Sequence, residues 1–438
     1  MADILHKSKQ VISEEGVAAF ATKGLRKTLT PIMGREQAKL KYYYVNRVLK
    51  YGSLSPPNFE CVKDIHDISG QGYQSFFGFY DKTPFGPKNN RILFNRVNAP
   101  VQQSSRNECP LEVCYYDINT DDIVEVGETK TWNWQQGCRL QWLPGSKNKI
   151  IYNKVINNNY GAVIQDVKRG EILKTFNQPI YDVGPNGKYA LSIDFERLER
   201  GLPDYGYNNK KIGHNPTEEG IYRLDLNTTD STLLMTFDQI EEQSTFTSKK
   251  EPYIMNIMFS PKGDKFMFLY RYNYARSYRP TNLICATTDG DIIKILGKDG
   301  NPSHPIWKSN SEILSTIKYS TDDQSTTKYV IYNCKNNKKL YLENSFLNFD
   351  SHPSFAPVGK DVLVLDSYPN HCGELNLYLL NMATGSYEIL GSFYGPTKNN
   401  TKRDLHPRWD RKGKYICIDR PIPKNGRKCA LISVESLL

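Results

Sequence analysis

The chain of 438 residues has no long uncharged stretch, and its N-terminus has no apolar core followed by small residues. The first absence argues against a membrane-spanning helix and the second against a secretory signal peptide, so we expect a cytoplasmic protein. The nine cysteines form no CxxC pair and have no regular spacing. In a chain of this length we expect reduced thiols packed in the core, and neither a disulfide framework nor a cysteine-based zinc site.

Sequence motifs of several enzyme classes are also missing. The chain has no GxSxG nucleophile turn, no P-loop and no dinucleotide-binding fingerprint, which argues against the activities built on them. The net charge of +10 is concentrated at the N-terminus, where residues 1–51 hold ten Lys and Arg against four Asp and Glu. The rest of the chain is therefore only mildly basic, and we expect no nucleic-acid partner.

Aromatic and turn-forming residues are abundant, with 29 Tyr, 18 Phe, 30 Gly and 24 Pro, and they favour strands over helices. A unit that begins with an aromatic-containing strand and a tight turn recurs along the chain, as in Phe259–Lys265. The seven units lie at 75–127, 136–176, 180–237, 253–297, 301–344, 351–393 and 405–437. Because one such sheet cannot bury both of its faces, the units are expected to stack into a ring. The sequence predicts an all-β fold, a seven-bladed β-propeller over residues 56–438 that is closed by a strand within Phe59–Ile65.

Residues 1–55 are predicted to form a basic helical extension. Apolar residues recur at helical spacing between Ser13 and Tyr51, with Lys and Arg between them, and Pro31 and Gly34 interrupt the pattern. Such a helix could contact an anionic membrane peripherally through residues 13–51. The alternative is a solvated helix packed against the outside of the propeller.

Three histidine-proline pairs stand at blade-length spacing in the last third of the chain. Each of His304, His352 and His406 is followed three residues later by a large aromatic, and the histidines are 48 and 54 residues apart. Side chains of a propeller's inner strand alternate in direction, so if the aromatic packs between blades, the histidine faces the central channel. Asn256 occupies the same position one blade earlier.

These four side chains are predicted to be metal ligands. Imidazole nitrogens and an amide oxygen suit Mn²⁺, our first expectation, and also Zn²⁺ or Ni²⁺. The alternative is that the imidazoles form hydrogen bonds between blades and bind no metal.

The turn pattern aromatic-Ser-Pro-x-Gly-x-Lys resembles the repeat of TolB-type propellers. The segments His352–Phe355, Asp366–Pro369 and Arg403–Trp409 resemble the oligogalacturonate-lyase-like branch of that group. This resemblance implies a divalent ion held by histidines and an amide in the funnel of the propeller. It also implies an acidic oligosaccharide or polysaccharide as partner, and a lyase that cleaves a uronate-containing glycan by β-elimination.

Segments that follow the second strand of each blade return to the end of the channel where the first strand began, so we expect them to surround the histidines. Guanidinium groups pair with carboxylates and aromatic rings stack on sugars, which makes the Arg and Tyr of these segments candidates. The predicted catalytic residues are Arg271 or Arg276 for the substrate carboxylate and His371 or Tyr278 as base. The predicted substrate-binding residues are Arg139, Arg197, Tyr368 and Arg279. The long insertion Arg197–Gly220 is expected to stand over the same opening.

Two other functions remain open. A non-catalytic propeller that binds a polysaccharide or protein partner in a polysaccharide-assembly pathway would hold no stoichiometric metal and form no unsaturated product. A glycoside hydrolase would need two carboxylates about 5–9 Å apart at the opening, and Asp194, Glu196 and Asp366 are available for that role.

Overall fold

The structure is a computed structural model of the chain. It describes residues 24–437 except 25, 34, 54–64, 69, 99–108, 209–218, 248–249, 274–278, 321–324, 337, 358–360, 395–402, 423–425 and 436. Outside the sheets, residues 26–33 are helical, so Pro31 does not interrupt the helix as predicted. The helices α1 (Arg35–Tyr51), α2 (Phe195–Gly201) and α3 (Phe237–Gln243) follow along the chain.

The strands of the described residues form seven antiparallel sheets of four strands each, the blades of a propeller. Blades one to three are β2 (Gln74–Phe76), β3 (Arg91–Val97), β4 (Leu111–Asp117), β5 (Asp122–Thr129); β6 (Gln141–Trp142), β7 (Lys149–Ile156), β8 (Asn159–Asp166), β9 (Ile172–Phe176); and β10 (Asp182–Val183), β11 (Tyr189–Ser192), β12 (Gly220–Asp225), β13 (Ser231–Thr236). Blades four to six are β14 (Tyr253–Phe259), β15 (Lys265–Arg271), β16 (Thr281–Thr287), β17 (Ile292–Leu296); β18 (Asn301–Trp307), β19 (Glu312–Ser320), β20 (Ser325–Asn333), β21 (Lys339–Tyr341); and β22 (Ser354–Phe355), β23 (Val362–Asp366), β24 (Glu374–Asn381), β25 (Tyr387–Tyr394). Blade seven combines β26 (Arg408–Trp409), β27 (Tyr415–Ile422) and β28 (Gly426–Ser433) with β1 (Ile65–Asp67). The predicted fold class and the seven predicted units are confirmed.

The ring is closed by a strand from the N-terminal side, as predicted. Strand β1 pairs antiparallel with β28, with Ile65 opposite Ile432. Of the predicted closing segment only Ile65 is part of this strand, and residues 59–64 lie outside the described residues. Pairing strands from the two ends of the chain in one blade closes the ring.

Aromatic residues at the end of the inner strands join neighbouring blades. The indole Nε1 of Trp307 donates to the carbonyl of Met258 in blade four, at 3.1 Å, and that of Trp409 donates to Ser354 in blade six, at 3.0 Å. Both rings are buried. A large apolar ring with one satisfied N–H stabilises an interface between sheets, and it fixes the residue three positions earlier toward the channel.

The turn between the first two strands of several blades requires glycine. Gly187, Gly263 and Gly413 have φ values of 69°, 71° and 76°. Residues with a Cβ rarely adopt this conformation, so glycine in the recurring turn has a physical cause.

Helix α1 packs against the outside of blade six. Arg47, which is buried, donates from Nε to the carbonyl of Cys372 at 2.8 Å and lies 4.7 Å above the ring of Tyr394. Lys50 and Tyr51 of the same helix contact the carboxylate of Glu374. This contact agrees with the expectation of a helix packed on the propeller. No described residue supports the alternative of a membrane contact.

Neither α1 nor any other helix within the described residues has the length and apolar character needed to cross a bilayer. The eight cysteines that the structure describes are free thiols, and all of them except Cys109 are buried. The expectation of reduced cysteines in the core is confirmed for these eight.

Candidate metal centre

The three histidines meet at one end of the central channel, the end where the inner strands begin, which we call the mouth. The ring centroids of His304 and His352 are 4.4 Å apart, and those of His352 and His406 are also 4.4 Å apart. His304 and His406 have left-handed backbones with φ of 46°, as do Asn256 at 53° and Arg139 at 55°. A shared conformation that costs energy in residues with a Cβ supports the equivalence of these positions on their blades.

Each imidazole is held through Nδ1. His352 Nδ1 lies 3.0 Å from the carboxylate of Asp366, and His406 Nδ1 donates to the carbonyl of Gly78 at 2.7 Å. His304 Nδ1 lies 2.8 Å from Asp350. Because the partners are acceptors, the proton of the neutral rings sits on Nδ1, and the lone pair of Nε2 is available to a ligand.

Asp366 connects two of the histidines. Besides His352 Nδ1, its carboxylate accepts hydrogen bonds from the backbone N–H of His352 at 2.8 Å and of His406 at 3.1 Å. It stands at the end of β23, so the second strand of blade six determines the positions of histidines in blades six and seven. A carboxylate that holds the far nitrogen of a ligating histidine is common behind metal sites.

Burial and charge set the protonation of the rings. Burial lowers the pKa of His406 well below 6.5, and the charge of His352 lowers it further. Burial also lowers the pKa of His304, although Asp350 opposes this. Burial acts on His352 in the same direction, but Asp366 outweighs it and raises the pKa of that ring above 6.5. Two of the three imidazoles are therefore neutral at pH 7 without a ligand.

Asp404, which was not predicted as a ligand, lies next to two of the histidines. One ligand atom each from His352, Asp404 and His406 lies within 4.8 Å of the other two, and the three residues are at most 5% exposed. The Nε2 atoms of both rings and Oδ2 of Asp404 are buried and have no hydrogen-bond partner among the described residues.

This group fits a divalent cation. Buried polar atoms in proteins are nearly always paired, so three unpaired atoms directed at one space are costly unless a ligand fills it. Two imidazole nitrogens and a carboxylate oxygen are ligands that Mn²⁺ and Zn²⁺ accept.

Asn256 and His304 lie beside this group. Asn256 Nδ2 donates to the hydroxyl of Tyr80 at 3.1 Å, while its Oδ1 is buried and has no partner among the described residues. The centroid of the Tyr80 ring lies 5.3 Å from that of the His352 ring. Tyr80 therefore lies between Asn256 and the histidines. The Nε2 of His304 faces the hydroxyl of Tyr368 at 3.4 Å.

Three arginines, Arg271, Arg403 and Arg427, are buried, and the first two form no ion pair with any residue that the structure describes. Arg271 donates to the carbonyl of Pro302 at 2.8 Å, and its charge contributes to the low pKa of His304. Arg427 donates to the carbonyl of Trp134 at 2.7 Å. Burial, together with the charge of Arg427, lowers the pKa of Arg403 to about 9. Arg271 therefore brings positive charge close to His304.

The structure gives Arg139 and Arg197 roles inside the fold. Arg139 makes five hydrogen bonds, among them a pair to Asp81 and a pair to the carbonyl of Tyr181. Arg197 contacts Glu219 and donates to the carbonyl of Pro252 at 2.9 Å. Because these guanidinium groups are engaged by the protein, we no longer assign them to substrate.

The remaining predicted residues lie at the rim. Tyr368 is 39% exposed beside His304, and Arg279 is exposed next to a part of the chain that is not described. His371 is half-buried in the same turn as Tyr368. Arg276 and Tyr278 lie outside the described residues.

The insertion after β11 reaches the mouth, as expected. Its Tyr205 lies 5.9 Å from the ring of Phe79, and that ring lies 5.1 Å from His406. Gln136 of blade two donates to the carbonyl of Tyr205 at 3.0 Å, which fixes the insertion across the channel. Residues 209–218 of the insertion are not described.

Comparison with known proteins identifies the fold. No protein-family model matches the chain, and no curated protein sequence matches it. Among solved structures it is similar to an oligogalacturonate lyase from Vibrio parahaemolyticus, at 12% identity and a TM-score of 0.58, over 86% of this chain and 97% of the other. It is also similar to an oligogalacturonate lyase in complex with manganese, at 14% identity and a TM-score of 0.57, over 87% and 98% of the chains. These similarities confirm the fold that the sequence resemblance implied.

Proposed function

We propose that the protein is a metal-dependent lyase that cleaves a uronate-containing oligosaccharide or polysaccharide by β-elimination. The observation that carries the proposal is the group of three buried, unpartnered ligand atoms of His352, His406 and Asp404 at the mouth. The similarity of the fold to an oligogalacturonate lyase in complex with manganese adds support. We expect Mn²⁺ as the metal, and an acidic glycan as the partner.

The cation would be held by His352, His406 and Asp404. When bound there, it would withdraw charge from the uronate carboxylate and so acidify the neighbouring C–H bond. Arg271 is assigned to the same carboxylate, because its buried guanidinium has no carboxylate partner among the described residues and acts electrostatically on His304. A fixed positive charge in a buried site stabilises the negative charge that develops as the proton leaves.

His304 is assigned to proton transfer. Its Nδ1 is held by Asp350 and burial keeps the ring neutral, so its Nε2 is able to accept the proton from C5 of the uronate. Although the sequence suggested His304 as a metal ligand, its Nε2 faces Tyr368 and it is not part of the group of three.

Tyr368 completes the proton balance. As the C4–O bond breaks and the C4–C5 double bond forms, the hydroxyl of Tyr368 donates its proton to the leaving oxygen. The tyrosine then regains a proton from Nε2 of His304, 3.4 Å away. Its partly exposed ring also provides a surface on which a sugar could stack. The exposed Arg279 is retained as a further contact to the acidic glycan.

The test is an ultraviolet assay for the conjugated product. The full-length protein is incubated with a panel of uronate oligosaccharides after treatment with EDTA, and again after Mn²⁺ is restored. We expect product only with the metal. His304→Gln should retain the metal and lose activity by about 10²-fold or more, the usual contribution of a general base. Product formation that is unchanged after EDTA treatment, or binding of uronates without any product, would contradict the proposal.

A further inference from the structure

Tyr368 lies in the turn that joins β23 to β24, residues 367–373, which we call the rim turn. The centroid of its ring is 6.2 Å from that of His304. The start of the rim turn is anchored to the sheet, because the N–H of Ser367 donates to the carbonyl of Asn376 at 2.9 Å. The position of the Tyr368 hydroxyl therefore depends on what fixes the remainder of the turn.

Asn370 organises the far end of the rim turn. Its side-chain oxygen accepts hydrogen bonds from the backbone N–H of Cys372 at 2.8 Å and of Glu374 at 3.1 Å. Its backbone carbonyl accepts from the N–H of Gly373 at 3.0 Å, and its Nδ2 donates to the carboxylate of Glu374 at 2.7 Å. Glu374 therefore orients the amide around which the turn is folded.

Helix α1 holds this end of the turn from the outside of blade six. Lys50 Nζ lies 3.4 Å from the carboxylate of Glu374, and the hydroxyl of Tyr51 donates to the same carboxylate. Arg47 donates from Nε to the carbonyl of Cys372 at 2.8 Å. All three contacts come from the C-terminal end of α1, so the helix grips the rim turn at one place.

The helix and the rim turn approach each other closely. Gly373 has a φ of 79°, and a Cβ there would stand 3.0 Å from the ring of Tyr43 and 3.1 Å from Nη2 of Arg47. Arg47 is only 1% exposed and Glu374 only 5%. Hydrogen bonds in such a buried contact restrain the turn more strongly than exposed ion pairs would.

We infer that α1 positions Tyr368 beside His304, and that Arg47 is a positioning residue of the site. The inference rests on the proposed function, in which Tyr368 donates a proton to the leaving oxygen, and it extends that site to a helix outside the propeller. Arg47 acts through the carbonyl of Cys372 and the turn that follows Tyr368. Proton transfer needs hydrogen-bond distance, so a displacement of the hydroxyl by about 1 Å can lower the rate by about 10²-fold.

The test combines hydrogen exchange of the rim turn with steady-state kinetics on the full-length protein. Arg47→Met removes the donor to Cys372, and Tyr51→Phe removes a single hydroxyl, so one variant remains if the other does not fold. Lys41→Met is the matched control, because it removes a charge from an exposed side chain of the same helix. Arg47→Met and Tyr51→Phe are also combined with Tyr368→Phe, and the affinity for Mn²⁺ is measured by calorimetry.

We expect Arg47→Met to raise the exchange rates of the amides of Cys372 and Gly373 by about two- to tenfold, as the loss of one hydrogen bond implies. The affinity for Mn²⁺ should stay unchanged, because the ligating histidines are held by other contacts. Tyr51→Phe should show a smaller effect of the same kind, and Lys41→Met should match the wild type.

The kinetics test whether the effect acts through Tyr368. Arg47→Met should lower kcat by about 10–100-fold with little change in KM, because the proton donor is displaced while the substrate is still bound. In the Tyr368→Phe background it should cause no further loss, because the group that it positions is already absent.

The inference would be overturned if exchange in the rim turn were unchanged in both variants, or rose throughout blade six together with a loss of Mn²⁺ affinity. It would also be overturned if Arg47→Met left kcat unchanged, or lowered it equally with and without the Tyr368 hydroxyl. If no variant and no wild-type protein forms product, the lyase is rejected, and the exchange of the rim turn alone decides whether α1 positions it. Product formation with unchanged exchange rejects this inference alone.

Discussion

Replacing Asp366 by asparagine is expected to weaken metal binding and stability together. The carboxylate holds Nδ1 and the backbone N–H of His352, and the backbone N–H of His406, at distances between 2.8 and 3.1 Å. An amide keeps one acceptor oxygen and places a donor NH₂ where the other oxygen was, so at least one of these N–H groups loses its partner.

The magnitudes follow from those contacts. The loss of one to two hydrogen bonds to a buried charge, at about 1.5–3 kcal/mol each, predicts a decrease of about 1.5–6 kcal/mol in the free energy of unfolding. The affinity for Mn²⁺ should fall by about 10–100-fold, the usual effect of removing the carboxylate behind a ligating histidine.

Calorimetric titration with Mn²⁺ and chemical denaturation measure the two effects. Asp361→Asn is the control, because this aspartate is in the same blade, its side chain is 66% exposed, and its carboxylate forms an exposed ion pair with Lys308. If Asp366→Asn bound Mn²⁺ as tightly as the control does, Asp366 would not organise a metal site. A loss of stability without a loss of Mn²⁺ affinity would also show that Asp366 does not organise a metal site.

Two further predictions concern the same site. Gly78→Ala should lower the free energy of unfolding by about 1–3 kcal/mol, since φ is 125° and a Cβ would stand 2.7 Å from the backbone of Gln136. It should also weaken Mn²⁺ binding, because the carbonyl of Gly78 holds His406; denaturation and titration that match the wild type would refute this. The affinity for Mn²⁺ should fall as the pH is lowered through the raised pKa of His352, because the cation must displace a proton there. Titrations at several pH values check this, and a pH-independent affinity would contradict it.

The blades were predictable because their signals are local. Each repeat carries its own turn, such as the one that contains Gly263, and its own strands, so the seven units match the sheets within a few residues. The convergence of the histidines was also predictable, because Trp307 and Trp409 mark the direction of the inner strands.

The groups around the histidines were harder to predict, because they come from other strands and blades. Asp366 was available only as a candidate carboxylate at the mouth, and its contact with His406 spans 40 residues and two blades. Asp404 lies two residues before His406, yet no spacing rule distinguishes a ligand from a surface aspartate there.

The central claim is that His352, His406 and Asp404 hold one divalent cation. The most direct measurement is elemental analysis of the full-length protein after equilibration with Mn²⁺ and removal of free metal, beside the double variant His352→Ala/His406→Ala, with folding of both verified by circular dichroism. The account predicts about one ion per chain in the wild type and none in the variant. Equal metal content in the two proteins, or none in the wild type, would contradict it.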